Sequence, residues 1–263
     1  MKILFLLISP FLLFAKVHYA KVEPYESILL KSSVSALVVY ANVDAEGTLI
    51  KDKQIIVLDD ALDKVNIEFT QNSVLLLEQM LQINQNIAKS LNDTVKRQEG
   101  YYQRINKLST ASKTQKDNAY SAFSTAKTQY LSTREKIISL EKQILELGYK
   151  VRQLEDSIAK KSIVLKDKYL YKLLVRKGDF VNAGTPLAEI KDVSRAKLVL
   201  FLASEEIAEI EHKILYLNGE KTDYKIDKIW NIADEKFISS YRAEIYIPSP
   251  KDRFSKLIKV EIK

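Results

Sequence analysis

The residues able to do chemistry in this chain are few. Two histidines, two methionines and no cysteine leave no thiolate ligand, catalytic thiol, disulfide framework or lipid-modified N-terminal Cys. His18 falls inside an N-terminal export segment, so His212, flanked by Glu211 and Lys213, is the one histidine expected in the mature chain. An imidazole between two opposite charges reads as a surface group rather than the base of a nucleophile. Met80 would be its only soft companion, too little for a transition-metal site. The carboxylate pairs Asp59-Asp60, Glu205-Glu206 and Asp234-Glu235 are sequence neighbours. Such neighbours point apart on a strand or diverge by about 100° on a helix, so they read as solvated charge rather than a general acid and base. No phosphate-cradling glycine loop is present. Catalytic, cofactor-binding and metal residues are therefore all expected to be none, and an enzyme is not expected.

Among 263 residues, 41 Lys and Arg against 34 Asp and Glu give a net charge of +7, with 46% hydrophobic and 29% charged residues. That composition belongs to a folded protein. The basic residues are interleaved with acids, without a Lys/Arg block, so nucleic acid is not an expected partner. Met1-Lys2, the apolar run Ile3 to Ala15, and the small residues Ala15 and Ala20 predict a signal peptide over 1–20. The apolar run is shorter than the ~20 residues a helical span needs. A cut after Ala20, which would place His18 at −3, removes Lys2 and Lys16 and leaves a charge of +5.

Proline divides the rest. None falls between Tyr25 and Thr185, and only Gly100 and Gly148 lie between Gly47 and Gly178, so the middle of the chain is free to be helix. Ala119, Phe123, Ala126, Tyr130, Thr133, Ile137, Leu140, Ile144, Leu147, Val151, Leu154, Ile158, Lys161 and Leu165 follow one another in alternating steps of four and three, with only Thr133 and Lys161 plainly polar. That is a coiled-coil seam. Upstream, Leu76, Met80, Ile83 and Ile87 form one seam and Leu77, Leu81, Ala88, Leu91, Val95, Tyr102 and Ile105 an adjacent one, the drift expected of a helix that departs from a strict heptad. The polar run Ser109 to Thr114 is the natural turn. The two seams then pair as an antiparallel hairpin over 61–166, with its tip near 109–114.

The flanks resemble each other. Residues 35–60 and 167–193 each read as a strand, a glycine turn (Gly47, Gly178), an apolar residue three positions later (Ile50, Val181) and a second strand. Together they predict one β-sandwich split by the hairpin. Residues 194–263 alternate as a small β-barrel, to which 21–34 would add a strand. The expected class is thus α+β, a long coiled-coil hairpin inserted in a split, lipoyl-like sandwich and followed by a barrel.

The run Val175-Arg176-Lys177-Gly178-Asp179-Phe180-Val181, with Gly184-Thr185-Pro186-Leu187 and Ile190-Lys191-Asp192, resembles the second lipoyl half of the periplasmic adaptor (membrane fusion protein, HlyD-like) family. The first half departs from the family, with Lys53 where it usually has glycine. Because the helices interrupt the hairpin that would bear a lipoyl-lysine, Lys51 and Lys53 are expected to be exposed turn lysines.

The resemblance implies a periplasmic adaptor of a Gram-negative bacterium, linking an inner-membrane transporter, of the resistance-nodulation-division (RND) rather than the ABC type, to a TolC-type outer-membrane channel in a tripartite efflux pump. It implies a homo-oligomer of about six copies, and no cofactor. It also implies that Arg104 and Leu108, four residues apart before the turn, and Ser112 after it, dock on the channel. The rival reading is a periplasmic coiled-coil scaffold outside any pump.

Overall fold

A computed structural model describes residues 16–208, 210, 213–234, 237, 239–250 and 254–263. His212, Glu211 and Glu235 lie outside the described residues, as does the apolar run of the export segment. The chain forms two compact units: the described residues of 1–57 together with 163–263, and residues 58–162.

The first unit is a sheet of eleven strands: β1 (Lys16–Lys31), β2 (Ala36–Ala41), β3 (Thr48–Leu58), β4 (Ser162–Leu173), β5 (Phe180–Val181), β6 (Pro186–Ala203), β7 (Leu215–Leu217), β8 (Glu220–Lys221), β9 (Lys228–Ala233), β10 (Ser240–Pro248) and β11 (Leu257–Ile262). The path runs β5-β2-β3-β4-β6-β1-β11-β7-β8, with β10 between β6 and β9. The two similar flanks do meet: β2 pairs β5 with Ala36 opposite Val181, and the Gly178 amide donates to the Val38 carbonyl at 2.8 Å. Gly47 (φ +75°) and Gly178 (φ +98°) hold the left-handed backbone that their turns demand. Val38, Ile55, Ile56, Leu170, Leu173, Val181 and Leu187, each at most 1% exposed, fill this part.

A second cluster holds Ala20, Val22, Leu198, Leu200, Leu202, Leu215, Ala243, Ile245 and Val260. Here several expectations shift. The expected boundary at residue 193 falls inside the continuous strand β6, which pairs β4 through Tyr169 to Leu173 and then β10 from Arg195 onward. Asp192 marks the changeover. Its carboxylate accepts from Lys168 Nζ at 2.5 Å, from the Ser194 amide at 3.0 Å and from Ser194 Oγ at 2.6 Å. Those bonds, led by Lys168, bring its pKa down to about 2 against the ordinary 3.8.

The expected signal segment, 1–20, overlaps β1, whose residues Lys16 to Lys21 pair with β11. After β6 the chain turns into the short α3 (Ser204–Ile207). Lys51 and Lys53 are exposed, but within the strand β3 rather than at a turn. Asn218-Gly219, both with positive φ, close the β7–β8 hairpin, a two-residue turn whose Asn-Gly signal was present in the sequence.

The second unit is the hairpin of α1 (Ala61–Lys107) and α2 (Lys113–Lys161). Leu165, the last position of the sequence seam, belongs to β4 instead.

Candidate functional site

Because no Pro interrupts the seams, each arm runs as one helix, and the antiparallel pair buries the predicted stripe. On α2, Ala119, Ala126, Ile137 and Leu140 are buried, and every other seam position down to Lys161 is partly covered. On α1 the buried line is Thr70, Asn84 and Ala88, flanked by the partly covered Leu77, Leu81, Leu91 and Val95. The polar members cost little, because each is bonded to its own helix. Thr70 Oγ1 donates to the Asn66 carbonyl at 2.6 Å, Asn84 Nδ2 to that of Met80 at 2.7 Å, and Thr133 Oγ1 to that of Gln129 at 3.0 Å. Near the far end the rings of Tyr102, Tyr120 and Phe123 join the arms, with centroids 5.4 and 6.2 Å from Tyr102.

The tip is short. Leu108 caps α1 through its amide to the Ile105 carbonyl at 3.1 Å, and Ser112 caps α2. Ser112 Oγ accepts from the Gln115 amide at 3.2 Å, while Gln115 Oε1 accepts from the Ser112 amide at 2.9 Å, a reciprocal capping box. Arg104, Leu108 and Ser112 all lie at this end and all are exposed, Leu108 by 50%. Ser112 is engaged in holding the return helix, a role that its Ser-x-x-Gln spacing announces. Among the described residues Arg104 makes no ion pair. Its guanidinium lies back toward Gly100, where Nη1 would be 3.5 Å from an added Cβ. The tip therefore presents a cation and an apolar side chain to water, the chemistry that accepts carboxylate or carbonyl groups on a partner.

A second surface was only half visible in the sequence. Leu76, Met80, Ile83 and Ile87 are 43–62% exposed, and Leu62, Val65 and Phe69 extend their line with 60–72%. They are not drift of the buried seam but a separate apolar stripe. On α2, Leu131, Ile138, Leu145 and Tyr149 are 54–75% exposed at steps of seven, seven and four, a periodicity legible in the sequence but masked by the stronger seam beside it. At about 100° per residue, the α2 stripe lies on the face where Gln85, Lys89, Arg134 and Ile138 line a shallow groove. The α1 stripe lies on the opposite face, with Thr94 and Gln98 of a second groove. The two stripes also overlap in height, since Gln85 and Ala88 stand level with Ile137 and Glu141.

In comparison with known proteins, no family model and no curated protein matches the chain. Solved structures do match. That of MacA from Actinobacillus actinomycetemcomitans is 13% identical and superposes with a TM-score of 0.74 over 95% of this chain and 78% of that one. The chain has the periplasmic adaptor, or membrane fusion protein, fold. A MacA-MexA chimera bearing the Pseudomonas aeruginosa MexA α-hairpin domain matches at 17% identity and TM-score 0.53, covering 95% of this chain and 80% of that one. The membrane fusion protein Spr0693 of Streptococcus pneumoniae R6 matches at 8% identity and TM-score 0.53, covering 94% and 97%. Within this adaptor fold the hairpin carries the two features that a partner could read, a capped polar tip and paired apolar stripes. Among the described residues no helix is long and apolar enough to cross a membrane.

Proposed function

We propose that the protein is a periplasmic adaptor, linking an inner-membrane transporter to a TolC-type outer-membrane channel in a tripartite efflux pump. An RND transporter is the first partner to test and an ABC transporter the second. The role is non-enzymatic: the chain supplies surfaces rather than a reaction. The observation that carries the reading is the pair of stripes on opposite faces of the hairpin at overlapping heights. Exposed apolar lines of this extent mark contact surfaces rather than solvated helix. Because they lie on different faces, the α1 stripe of one copy can cover the α2 stripe of the next, a heterologous contact that repeats until a ring closes. Six copies is the number that the adaptor resemblance implies. The hairpins of such a ring form the wall of a conduit, with Arg104 and Leu108 of each copy at its rim to meet the channel, and Ser112 holding the turn that presents them.

The rival, a scaffold outside any pump, would use the stripes in the same way but would not need the tip. Efflux measured in a strain carrying Arg104→Asp separates the two. The adaptor loses transport at unchanged protein level, whereas a scaffold is indifferent.

A further inference from the structure

We propose that the exported chain is cut between Ala15 and Lys16, so that residues 16–20 stay as the beginning of β1. The inference rests on reading residues 1–15 as the export signal. In the cut, water hydrolyses the Ala15–Lys16 peptide bond, leaving a carboxylate on Ala15 and an ammonium group on Lys16, and the catalyst is the host's signal peptidase.

Three observations speak against a cut after Ala20 and for keeping residues 16–20. The first is pairing: Lys16 to Lys21 lie opposite Ile262 to Leu257, residue by residue. Across its other edge β11 pairs the short β7 through Leu215 to Leu217, with further backbone bonds from Ile214 and Asn218. Loss of 16–20 would strip most of the backbone partners from one edge of β11, and buried strand amides and carbonyls are costly to leave unpaired.

The second is packing. Ala20 is 0% exposed and belongs to the same cluster as Leu198, Ile245 and Val260. A cut after Ala20 would turn that core position into a missing chain end.

The third is a buried carboxylate. Glu206, 7% exposed, accepts from His18 Nε2 at 2.8 Å and from the Ala203 amide at 2.8 Å, with Lys16 Nζ 3.6 Å away. Burial acts to raise its pKa, yet the Ala203 amide, His18 and Lys16 together hold it below the ordinary value. Both side chains in that set come from residues 16–20. Without them, of those three partners Glu206 keeps the Ala203 amide.

The sequence accommodates this position. The apolar stretch before Ala15 falls within the roughly 7–15 residues of a signal core. Ala15 gives a small residue at −1 with the uncharged Leu13 at −3, whereas Ala20 would put the imidazole of His18 at −3.

The test uses the full chain, expressed with a C-terminal tag in a Gram-negative host and recovered by osmotic shock. Intact mass and N-terminal sequencing should show Lys16 as the first residue. A folded protein beginning at Lys21 would overturn the cut while leaving export intact, and a chain retained in the cytosol with Met1 would overturn both. Ala15→Tyr should block cleavage and accumulate precursor; cutting at the wild-type rate would contradict the position. Of two refolded forms, 16–263 should melt cooperatively and 21–263 should not, and coincident melting curves would show that residues 16–20 are dispensable.

Discussion

Lys161 Nζ lies 2.8 Å from Asp63 Oδ2, to which Ser157 Oγ also donates at 3.0 Å. Residue 161 is the polar exception at the end of the α2 seam, and Asp63 sits in the first turn of α1. Each charge opposes the dipole of its own helix end favourably, the acid at an N-terminus and the base at a C-terminus. Both side chains are largely covered, 12% and 17% exposed, so the pair fixes register at one end of the hairpin as the Tyr102 rings do at the other.

A double-mutant cycle of Lys161→Met and Asp63→Asn, followed by urea unfolding, should give a coupling of about 1–2 kcal/mol, between the limits for exposed and buried pairs. Additive single effects would mean that the contact sets no register.

Leu140 is 4% exposed, and Leu140→Ala should cost about 2–5 kcal/mol. Lys142, whose side chain is 76% exposed, should tolerate Ala within about 0.5 kcal/mol. Equal effects on the thermal midpoint would contradict the buried seam.

The seam shows what the sequence makes legible. Helix identity and the buried α2 stripe follow from local periodicity, because a 3.6-residue repeat needs no partner to be read; the turn, expected at 109–114, lies between Lys107 and Lys113. The α1 stripe from Leu62 to Ile87 resembles a buried seam for the same reason, and only the packing of Asn84 and Ala88 against α2 shows which of the two lines is covered. Strand limits were less legible. β6 continues through the expected boundary at 193 because Asp192, Ser194 and Lys168 let one strand change partner, a long-range arrangement that alternation alone does not reveal. At the tip, Arg104 and Leu108 carry no local signal of a role, whereas the cap at Ser112 is written in its spacing to Gln115.

Asp192 predicts an acid-sensitive sheet unit. Its folded pKa of about 2 lies below the ordinary 3.8, so its stabilisation is complete above the unfolded value and is lost as pH falls from about 4 through 2. Asp192→Asn should remove on the order of 1–2 kcal/mol at pH 7 and flatten the pH dependence across that window. Parallel pH profiles for the two proteins would contradict this.

Gly178 has open space around its Cβ position, so Gly178→Val should destabilise through backbone strain rather than collision, by about 1–2 kcal/mol or more. Gly178→Asn should recover part of the loss, since Asn tolerates positive φ better. Calorimetric midpoints of the two variants check the order.

The stripes predict a clean separation of folding from assembly. Ile83→Asp and Ile138→Asp, at exposed positions on opposite faces, should keep the wild-type helical content and melting point. Each should abolish self-association in analytical ultracentrifugation, and a mixture of the two should still form pairs through its intact stripes, though no closed ring. Unchanged assembly of both single variants would remove the stripes from the interface.

The tip gives the most direct test of the adaptor reading. In a strain lacking the native gene, Arg104→Asp supplied at equal protein level should behave as the deletion in susceptibility to the pump's substrates, with Leu108→Ser affected in the same direction but less. Helicity and melting should match the wild type, because Arg104 and Leu108 are solvated in the single chain. Wild-type resistance with Arg104→Asp would contradict channel docking through this end of the hairpin.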